Sequence, residues 1–197
     1  MKSIVAVLFA LTVSQSFAAE PRGSQTPREA FDKFGAAIRK KDYGGAMVQI
    51  TPDSQGALLG MLSMGIAVTS SVDPKVGAEG DAILTKHNVK KFDMSKFMTP
   101  PNDRRAAARE VSANVKDKTA ALVELLVFAE KNSSVNGMPA LMNKGLLIDM
   151  ANGELTDLKV DGNGAVASVK VKTEKSEESQ PIKFEKANGV WLIDILP

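Results

Sequence analysis

Methionine pairs at helical spacing are the first pattern in this sequence that could carry chemistry. Three such pairs occur, at Met61 and Met64, Met94 and Met98, and Met138 and Met142. Thioethers bind Cu(I), so exposed pairs of this kind would suit a copper-handling protein. Leucine, phenylalanine and alanine surround these pairs instead of histidine, and methionine also fills irregular cores. The sequence therefore favours a packing role for them, and it predicts no metal site.

The counts of cysteine and histidine exclude most nucleophilic and zinc chemistry. The chain has no cysteine, which removes thiol nucleophiles, disulfides and thiolate zinc sites together. Its one histidine, His87, cannot build a multi-histidine zinc site within one chain. The neighbouring Lys90 and Lys91 weaken His87 as a base, because like charges disfavour its protonated form. We expect neither a metalloenzyme nor a serine hydrolase.

The charge balance and the aromatic content argue against nucleic acid as a partner. The 197 residues include 25 Lys and Arg against 23 Asp and Glu, and only 5% are aromatic. This balance gives no electrostatic reason to bind a phosphate backbone or an anionic membrane. The chain also lacks a Walker phosphate loop and a glycine-rich dinucleotide fingerprint. We expect no nucleic-acid partner and no cofactor.

The start of the chain has the pattern of an export signal. A lysine precedes an uncharged apolar run at residues 4–13, and residues 16–18 form a small-x-small cleavage site. The run is about ten residues long, whereas a membrane span needs about 20. We predict a signal peptide at residues 1–18 that is cleaved between Ala18 and Ala19. The protein is then exported, periplasmic or extracellular, with no membrane span in the mature chain.

Helical signals dominate the next part of the chain, which follows a flexible lead-in expected at residues 19–25. Thr26, Pro27 and Glu29 form a capping box at the start of a first helix, and Asp42 opens a short second one. Further helices are expected over residues 52–68, 81–87, 104–115 and 117–131. Proline and glycine predict irregular structure elsewhere between residues 71 and 101, as in an insertion or a lid. Asn132 either caps a helix or, in a eukaryotic protein, accepts a glycan.

The third of these helices is unusually apolar. Residues 54–72 contain no charged side chain, and Gly56, Gly60 and Gly65 interrupt the leucines and methionines. This pattern favours a helix that is buried on most faces and packs closely through its glycines. A homodimer interface over residues 58–68 is the alternative. A membrane span is disfavoured, because Gly, Ser and Thr make up about half of the stretch.

The hydrophobic period changes from helical to alternating after residue 153. Four strands are expected over residues 155–160, 165–172, 182–185 and 190–195. A charged turn at residues 174–179 and an Asn-Gly turn at Asn188 connect the later strands. Helices followed by a block of antiparallel strands predict an α+β fold. Residues 26–197 would form a single domain, with N-terminal helices packed on a C-terminal sheet of about four strands.

Both ends of this domain resemble the nuclear transport factor 2-like superfamily. Residues 26–53 look like the family's first two helices, and residues 181–194 look like its last hairpin. The resemblance implies a cone-shaped α+β fold, here with a helical insertion between residues 64 and 150, and a secreted member of unknown function. The same cone hosts enzymes, ligand carriers and interaction modules, so the resemblance implies no single activity.

An enzyme of this type would need a carboxylate base and a proton donor in an apolar pocket. The resemblance thus makes Asp194, Tyr43 and Asp32 candidate catalytic residues. It makes Trp191, Leu192 and Tyr43 candidate ligand contacts. Packing at a corner between helices is the alternative for Tyr43, and solvation is the alternative for Asp32. Asp194 is buried if it shares the inner face with Leu192, and solvated if Trp191 faces inward instead.

The sequence favours an exported binding or interaction module over an enzyme, because no nucleophile, base and orienting group stand in a recognisable pattern. We expect its partner to be a small apolar ligand or another protein. One alternative is a small-pocket enzyme of the proton-transfer or cyclase type. The other is a homodimeric structural protein of the cell envelope.

Overall fold

The computed structural model describes residues 22–91, 104–134, 146–172 and 177–195. In these ranges seven helices precede a four-stranded antiparallel sheet. The helices are α1 (Pro27–Arg39), α2 (Tyr43–Met47), α3 (Pro52–Val72), α4 (Pro74–Lys86), α5 (Arg104–Ser112), α6 (Lys118–Lys131) and α7 (Leu146–Asn152). The strands are β1 (Glu154–Asp161), β2 (Gly164–Lys172), β3 (Glu177–Ala187) and β4 (Val190–Asp194). The predicted α+β class is confirmed.

Side-chain caps fix where the helices begin. Thr26 Oγ1 accepts a hydrogen bond from the Glu29 N–H at 3.1 Å, and Glu29 Oε2 accepts one from the Gln25 N–H at 2.9 Å. Four further helices begin after a capping side chain, at Asp42, Thr51, Asp73 and Asp117. Each cap satisfies backbone donors that the first helical turn cannot pair. The helix starts predicted after Thr26, Asp42 and Thr51 are confirmed.

The prediction of mostly irregular structure from residue 71 is wrong over its described part. α3 runs on to Val72, and α4 then begins at Pro74, seven residues before the start of the short helix expected over residues 81–87. Asp73 caps α4, because its Oδ1 accepts from the N–H groups of Lys75 and Val76 at 3.1 Å. The glycines of α4 do not break it. A Cβ atom at Gly80 would lie only 2.9 Å from Ile66, so these glycines let α4 pack closely on α3.

The next two helices are separate, and a side-chain cap ends the second of them. α5 ends at Ser112 and α6 starts afresh at Lys118, with Asp117 as its cap. Asn132 caps the end of α6, since its side-chain amide donates to the Phe128 carbonyl at 2.9 Å.

The sheet is a meander in the order β1-β2-β3-β4, and most of its buried side chains lie on one face. The buried face carries Leu155, Ala165, Ala167, Val169, Ile182, Phe184 and Ile193. α1 and α7 cover this face. Asn188 and Gly189 both have positive φ, 53° and 83°, as a type I′ hairpin turn requires. Residues 177–179, expected in the charged turn, already belong to β3.

The outer edge of β4 is closed by two segments from near the start of the chain. Ser24 pairs with Trp191 through two backbone hydrogen bonds of 3.1 and 2.7 Å. The Thr51 N–H donates to the Ile193 carbonyl at 2.9 Å, and the Ile193 N–H donates to the Gln49 carbonyl at 2.8 Å. Part of the expected lead-in is therefore fixed on the sheet. The exposed donors and acceptors of an edge strand are satisfied here.

α3 is the centre of the helical layer and packs against α4, α5 and α6. Leu58, Leu59, Leu62 and Ile66 are each no more than 2% exposed. α3 is also long and apolar enough to cross a membrane, judged by length and composition alone. The core helix of a soluble protein passes the same test, and 56% of the tested stretch is buried in the protein. Its Met61 and Met64 are half-buried, and the other two methionine pairs lie outside the described residues.

Candidate functional site

A cavity of about 400 Å³ lies where the ends of α1 and α6 meet α2 and α7. Its apolar lining residues are Ile38, Leu147, Ile148 and Ala151. Its polar lining residues include Arg39, Lys41, Tyr43 and Glu130. Pockets of roughly 300–1,000 Å³ with apolar walls and a few convergent polar groups are typical of small-molecule sites.

The turn between α1 and α2 places two of the polar groups. The Asp42 N–H donates to the Ala37 carbonyl at 2.9 Å, and the Lys41 N–H donates to the Ile38 carbonyl at 3.0 Å. These two bonds form a Schellman motif. Lys41 occupies its left-handed position with φ 59°, where glycine is usual. The tight turn brings Lys41 and Tyr43 to the same wall of the cavity.

Tyr43, Glu130 and Lys41 form a hydrogen-bonded triad in that wall. The Tyr43 hydroxyl donates to Glu130 Oε2 at 2.9 Å, while the Lys41 ammonium pairs with Glu130 Oε1. Burial and the bond to Glu130 raise the pKa of Tyr43 to about 12. The bonds from Lys41 and Tyr43 hold the pKa of Glu130 below its ordinary value. At neutral pH the Glu130 carboxylate lies between a neutral phenol and an ammonium group.

Arg39 crosses from α1 to α7 on the same side of the cavity. Its Nη1 donates to the Ala151 carbonyl. Gly35, one turn earlier in α1, leaves the space for this contact. A Cβ atom at Gly35 would lie 3.0 Å from Arg39 Nη1 and 3.1 Å from the Ala151 oxygen. The glycine, which is otherwise unfavourable inside a helix, lets α1 and the guanidinium approach α7 closely.

Asp194 is buried, for a reason that the strand pattern does not contain. It pairs with Lys183 across the sheet, on the face opposite Ile193 and Trp191, and is nevertheless only 7% exposed. The N-terminus of α3 covers it, and the Ser54 hydroxyl donates to Asp194 Oδ1 at 3.1 Å. The same Ser54 oxygen accepts from the Ile195 N–H at 3.0 Å. Asp194 thus takes part in fastening β4 to α3.

The remaining candidate residues lie in different surroundings. Asp32 is exposed on the polar face of α1. Trp191 and Leu192 are buried in β4, with the Lys186 ammonium 5.8 Å from the centre of the Trp191 ring. Of all the sequence-predicted site residues, only Tyr43 lines the cavity. The structure does not bring Tyr43, Asp32 and Asp194 together around it.

The polar wall is suited to binding more than to acid-base chemistry. Tyr43 already gives its proton to a hydrogen bond with Glu130, and a pKa of about 12 makes it a weak acid at neutral pH. Glu130 is ionised, but Lys41 and Tyr43 occupy both of its oxygens. Within the parts of the chain that the structure describes, no group of three or more His, Cys, Asp or Glu side chains is placed to hold a metal ion.

Comparison with known proteins adds no relative. No family model, curated protein or solved structure matches the chain. The resemblance of its two ends to the nuclear transport factor 2-like superfamily therefore stays a prediction.

Sequence reasoning missed Arg39, Lys41 and Glu130. All three stand near helix ends, where charged residues are common for reasons of capping and solvation. One signal was present in the sequence. Gly35 interrupts an otherwise strong helix pattern four residues before Arg39, and a glycine inside a helix usually marks a close approach.

Proposed function

We propose that the protein is a non-catalytic module that binds a small, mainly apolar ligand in the cavity beside Tyr43. The cavity itself carries this proposal. Its volume of about 400 Å³ and its apolar lining residues Ile38, Leu147 and Ile148 suit the body of a small organic molecule. Tyr43 and the charged lining residues Arg39, Lys41 and Glu130 provide the few polar contacts that orient such a ligand.

The arrangement of the acidic residues favours binding over the enzyme alternative. A proton-transfer site needs a base and a donor that face one substrate. Asp194 hydrogen-bonds to Ser54 beneath α3, and Asp32 is exposed on α1. Tyr43 faces the cavity, but its hydroxyl is held by Glu130. A catalytic role for these three would require a large rearrangement, whereas ligand binding requires none.

The apolar α3 does not favour the homodimer alternative. The uncharged stretch suggested a surface for a second copy, but Leu58, Leu62 and Ile66 pack inside the protein's own core. The uncharged, apolar composition of α3 is explained by its packing against three helices. Intramolecular packing thus accounts for most of this stretch, while Val68 and Val72 near its end are 48% and 57% exposed.

The cellular location of the protein is proposed from the sequence alone. We propose that residues 1–18 are an export signal and that the protein acts in the periplasm or outside the cell. Membership of the nuclear transport factor 2-like superfamily is a further proposal, supported by the two matching stretches at either end of the domain. An α+β chain without cysteine is compatible with both.

Binding of a neutral, apolar fluorophore tests the proposed function. N-phenyl-1-naphthylamine becomes fluorescent in apolar surroundings and carries no charge. We expect saturable binding of one molecule per chain. Replacing Ile148 by tryptophan should fill the cavity and abolish this binding. Val127→Trp is the matched control, because Val127 is 52% exposed on α6 and does not line the cavity.

Two outcomes would overturn the proposal. One is the absence of saturable binding to the unchanged protein after any copurified ligand has been removed. The other is equal binding to the unchanged protein and to the Ile148→Trp variant, since the fluorophore would then occupy another site. Circular dichroism of both tryptophan variants shows whether they are folded.

A further inference from the structure

We propose that the ligand of this cavity is an amphipathic molecule with a single carboxylate, and that Arg39 is the residue that binds the carboxylate. This inference rests on the proposed function, because it assigns the charged end of a ligand whose apolar part occupies the same cavity. The hydrogen bonding of Arg39, its contact with a second helix and the charges around it support this assignment.

Arg39 has unused hydrogen-bonding capacity in the cavity wall. A guanidinium group has five N–H donors, and the Ala151 carbonyl accepts from one of its nitrogens. Among the residues that the structure describes, no carboxylate lies within ion-pair distance of Arg39. Four donors and a full positive charge are therefore available to a ligand.

The guanidinium of Arg39, an exposed residue, is anchored to a second helix before a ligand arrives. It lies over Gly35 on α1 and reaches the backbone of Ala151 on α7. A Cβ atom at position 35 would be 3.0 Å from Nη1, so a side chain there would force the guanidinium to shift. An arginine held on two helices loses less conformational freedom on binding than a free surface arginine does. Such preorganisation is typical of a recognition site.

The charges in the wall leave one positive charge without a neighbouring negative one. Lys41 and Glu130 neutralise each other, and Tyr43 occupies the second oxygen of Glu130. Among the described residues that line the cavity, Arg39 carries the remaining charge. One guanidinium pairs bidentately with one planar carboxylate, and it meets the charge of a monoanion. The apolar lining residues would hold the hydrocarbon part.

Competition among three molecules with the same hydrocarbon chain tests the inference. Octanoate, 1-octanol and octylammonium are each titrated against bound N-phenyl-1-naphthylamine at neutral pH. We expect octanoate to displace the fluorophore at about tenfold lower concentration than 1-octanol, because a hydrogen bond to a charged partner contributes about that factor. Octylammonium should be the weakest competitor, since it would meet Arg39 and Lys41.

Neighbouring residues of α1 provide a matched pair of variants. Arg39→Met should remove the preference for octanoate over 1-octanol, because it weakens the binding of octanoate far more than that of 1-octanol. Lys40→Met removes the same charge from the same helix end, but Lys40 does not line the cavity. It should keep the preference. If the loss of charge in general weakened octanoate, both variants would show it.

The outcomes separate this inference from the proposed function. If octanoate and 1-octanol compete equally, or if Arg39→Met keeps the preference, the carboxylate assignment is overturned while the binding module stands. If the fluorophore itself does not bind saturably, so that neither compound can displace it, the proposed function fails as well. Reduced octanoate binding that Arg39→Lys restores in part would support a positioned charge at this site.

Discussion

The Tyr43 hydroxyl donates a hydrogen bond of 2.9 Å to Glu130 and so joins the start of α2 to the end of α6. Tyr43 is the only tyrosine of the chain, so the absorbance of tyrosinate reports this group alone. In the folded protein we expect it to ionise near its raised pKa of about 12. In urea the same group should ionise near pH 10, its ordinary value.

A variant separates the two causes of this shift. Glu130→Gln removes the negative charge beside the phenol but leaves the burial, which is the larger cause. The pKa of Tyr43 should fall and still exceed 10. The linked effect on stability has a definite sign. Because the folded pKa is the higher one, stability is complete below pH 10 and declines as the pH rises towards 12. An unchanged titration in Glu130→Gln would contradict the hydrogen bond.

The buried contact between Ser54 and Asp194 predicts a large effect of a small substitution. Ser54→Ala removes a donor to Asp194 and the acceptor for the Ile195 N–H. We expect a loss of about 2 kcal/mol in the free energy of unfolding, because buried polar partners lose a bond. Urea denaturation measures it. Ser71→Ala, at an exposed position of the same helix, should change stability by less than about 0.5 kcal/mol.

Two glycines should respond in opposite directions when they are replaced by alanine. A Cβ at Gly77 would overlap Ser70 on the facing helix, so α3 and α4 would have to separate. We expect Gly77→Ala to lower the free energy of unfolding by about 1–3 kcal/mol. At Gly44 the nearest atom to a new Cβ is Asp42 Oδ1, at an ordinary 3.6 Å. Gly44→Ala should stabilise α2 by about 0.5 kcal/mol through helix propensity. A destabilised Gly44→Ala variant would contradict this packing.

The ion pairs on the helical layer predict weaker folding in acid. Hydrogen bonds from Lys86 and His87 lower the pKa of Glu124, and those from Lys41 and Tyr43 lower that of Glu130. A carboxylate with a lowered pKa contributes stability above its ordinary value of 4.5, and this is lost as the pH falls through the folded pKa. The urea concentration at the midpoint of unfolding should therefore decrease as the pH is lowered below 5.

A double variant tests the cause of this acid effect. With Glu124 and Glu130 both changed to glutamine, the urea midpoint should depend less on pH over the same range. Because these pairs are largely exposed, high salt should also flatten the dependence in the unchanged protein. An identical acid dependence in the double variant would assign the effect to other carboxylates.

The sequence predicted those elements whose signals are local. Thr26, Asp42 and Thr51 cap the helices expected after them, and the alternation of β2 put Ala167 and Val169 on the buried face. The region after residue 71 was mispredicted because Gly77 and Gly80 look like breakers in a single sequence. These glycines allow α3 to pack closely against α4, and a contact between two helices has no local signature in the sequence.

The candidate site was less predictable than the fold. Tyr43 was singled out because it is the only tyrosine, but its partner Glu130 follows 87 residues later. For a similar reason, the alternation of β4 does not predict the burial of Asp194. Its face of the sheet should be wet by alternation, yet α3 covers it. Alternation describes one sheet with one layer, and a second covering element changes which side chains are buried.

The pairing of Ser24 with Trp191 has a consequence for the order in which the chain can fold. These residues lie near opposite ends of the described chain, so their contact closes almost the longest loop available to it. Ser24 is synthesised long before Trp191, because most of the described chain lies between them. Until β4 has been made, the helices have no completed sheet to pack on. The contacts that close the edge of β4 can therefore form only after almost all of the described residues have been synthesised.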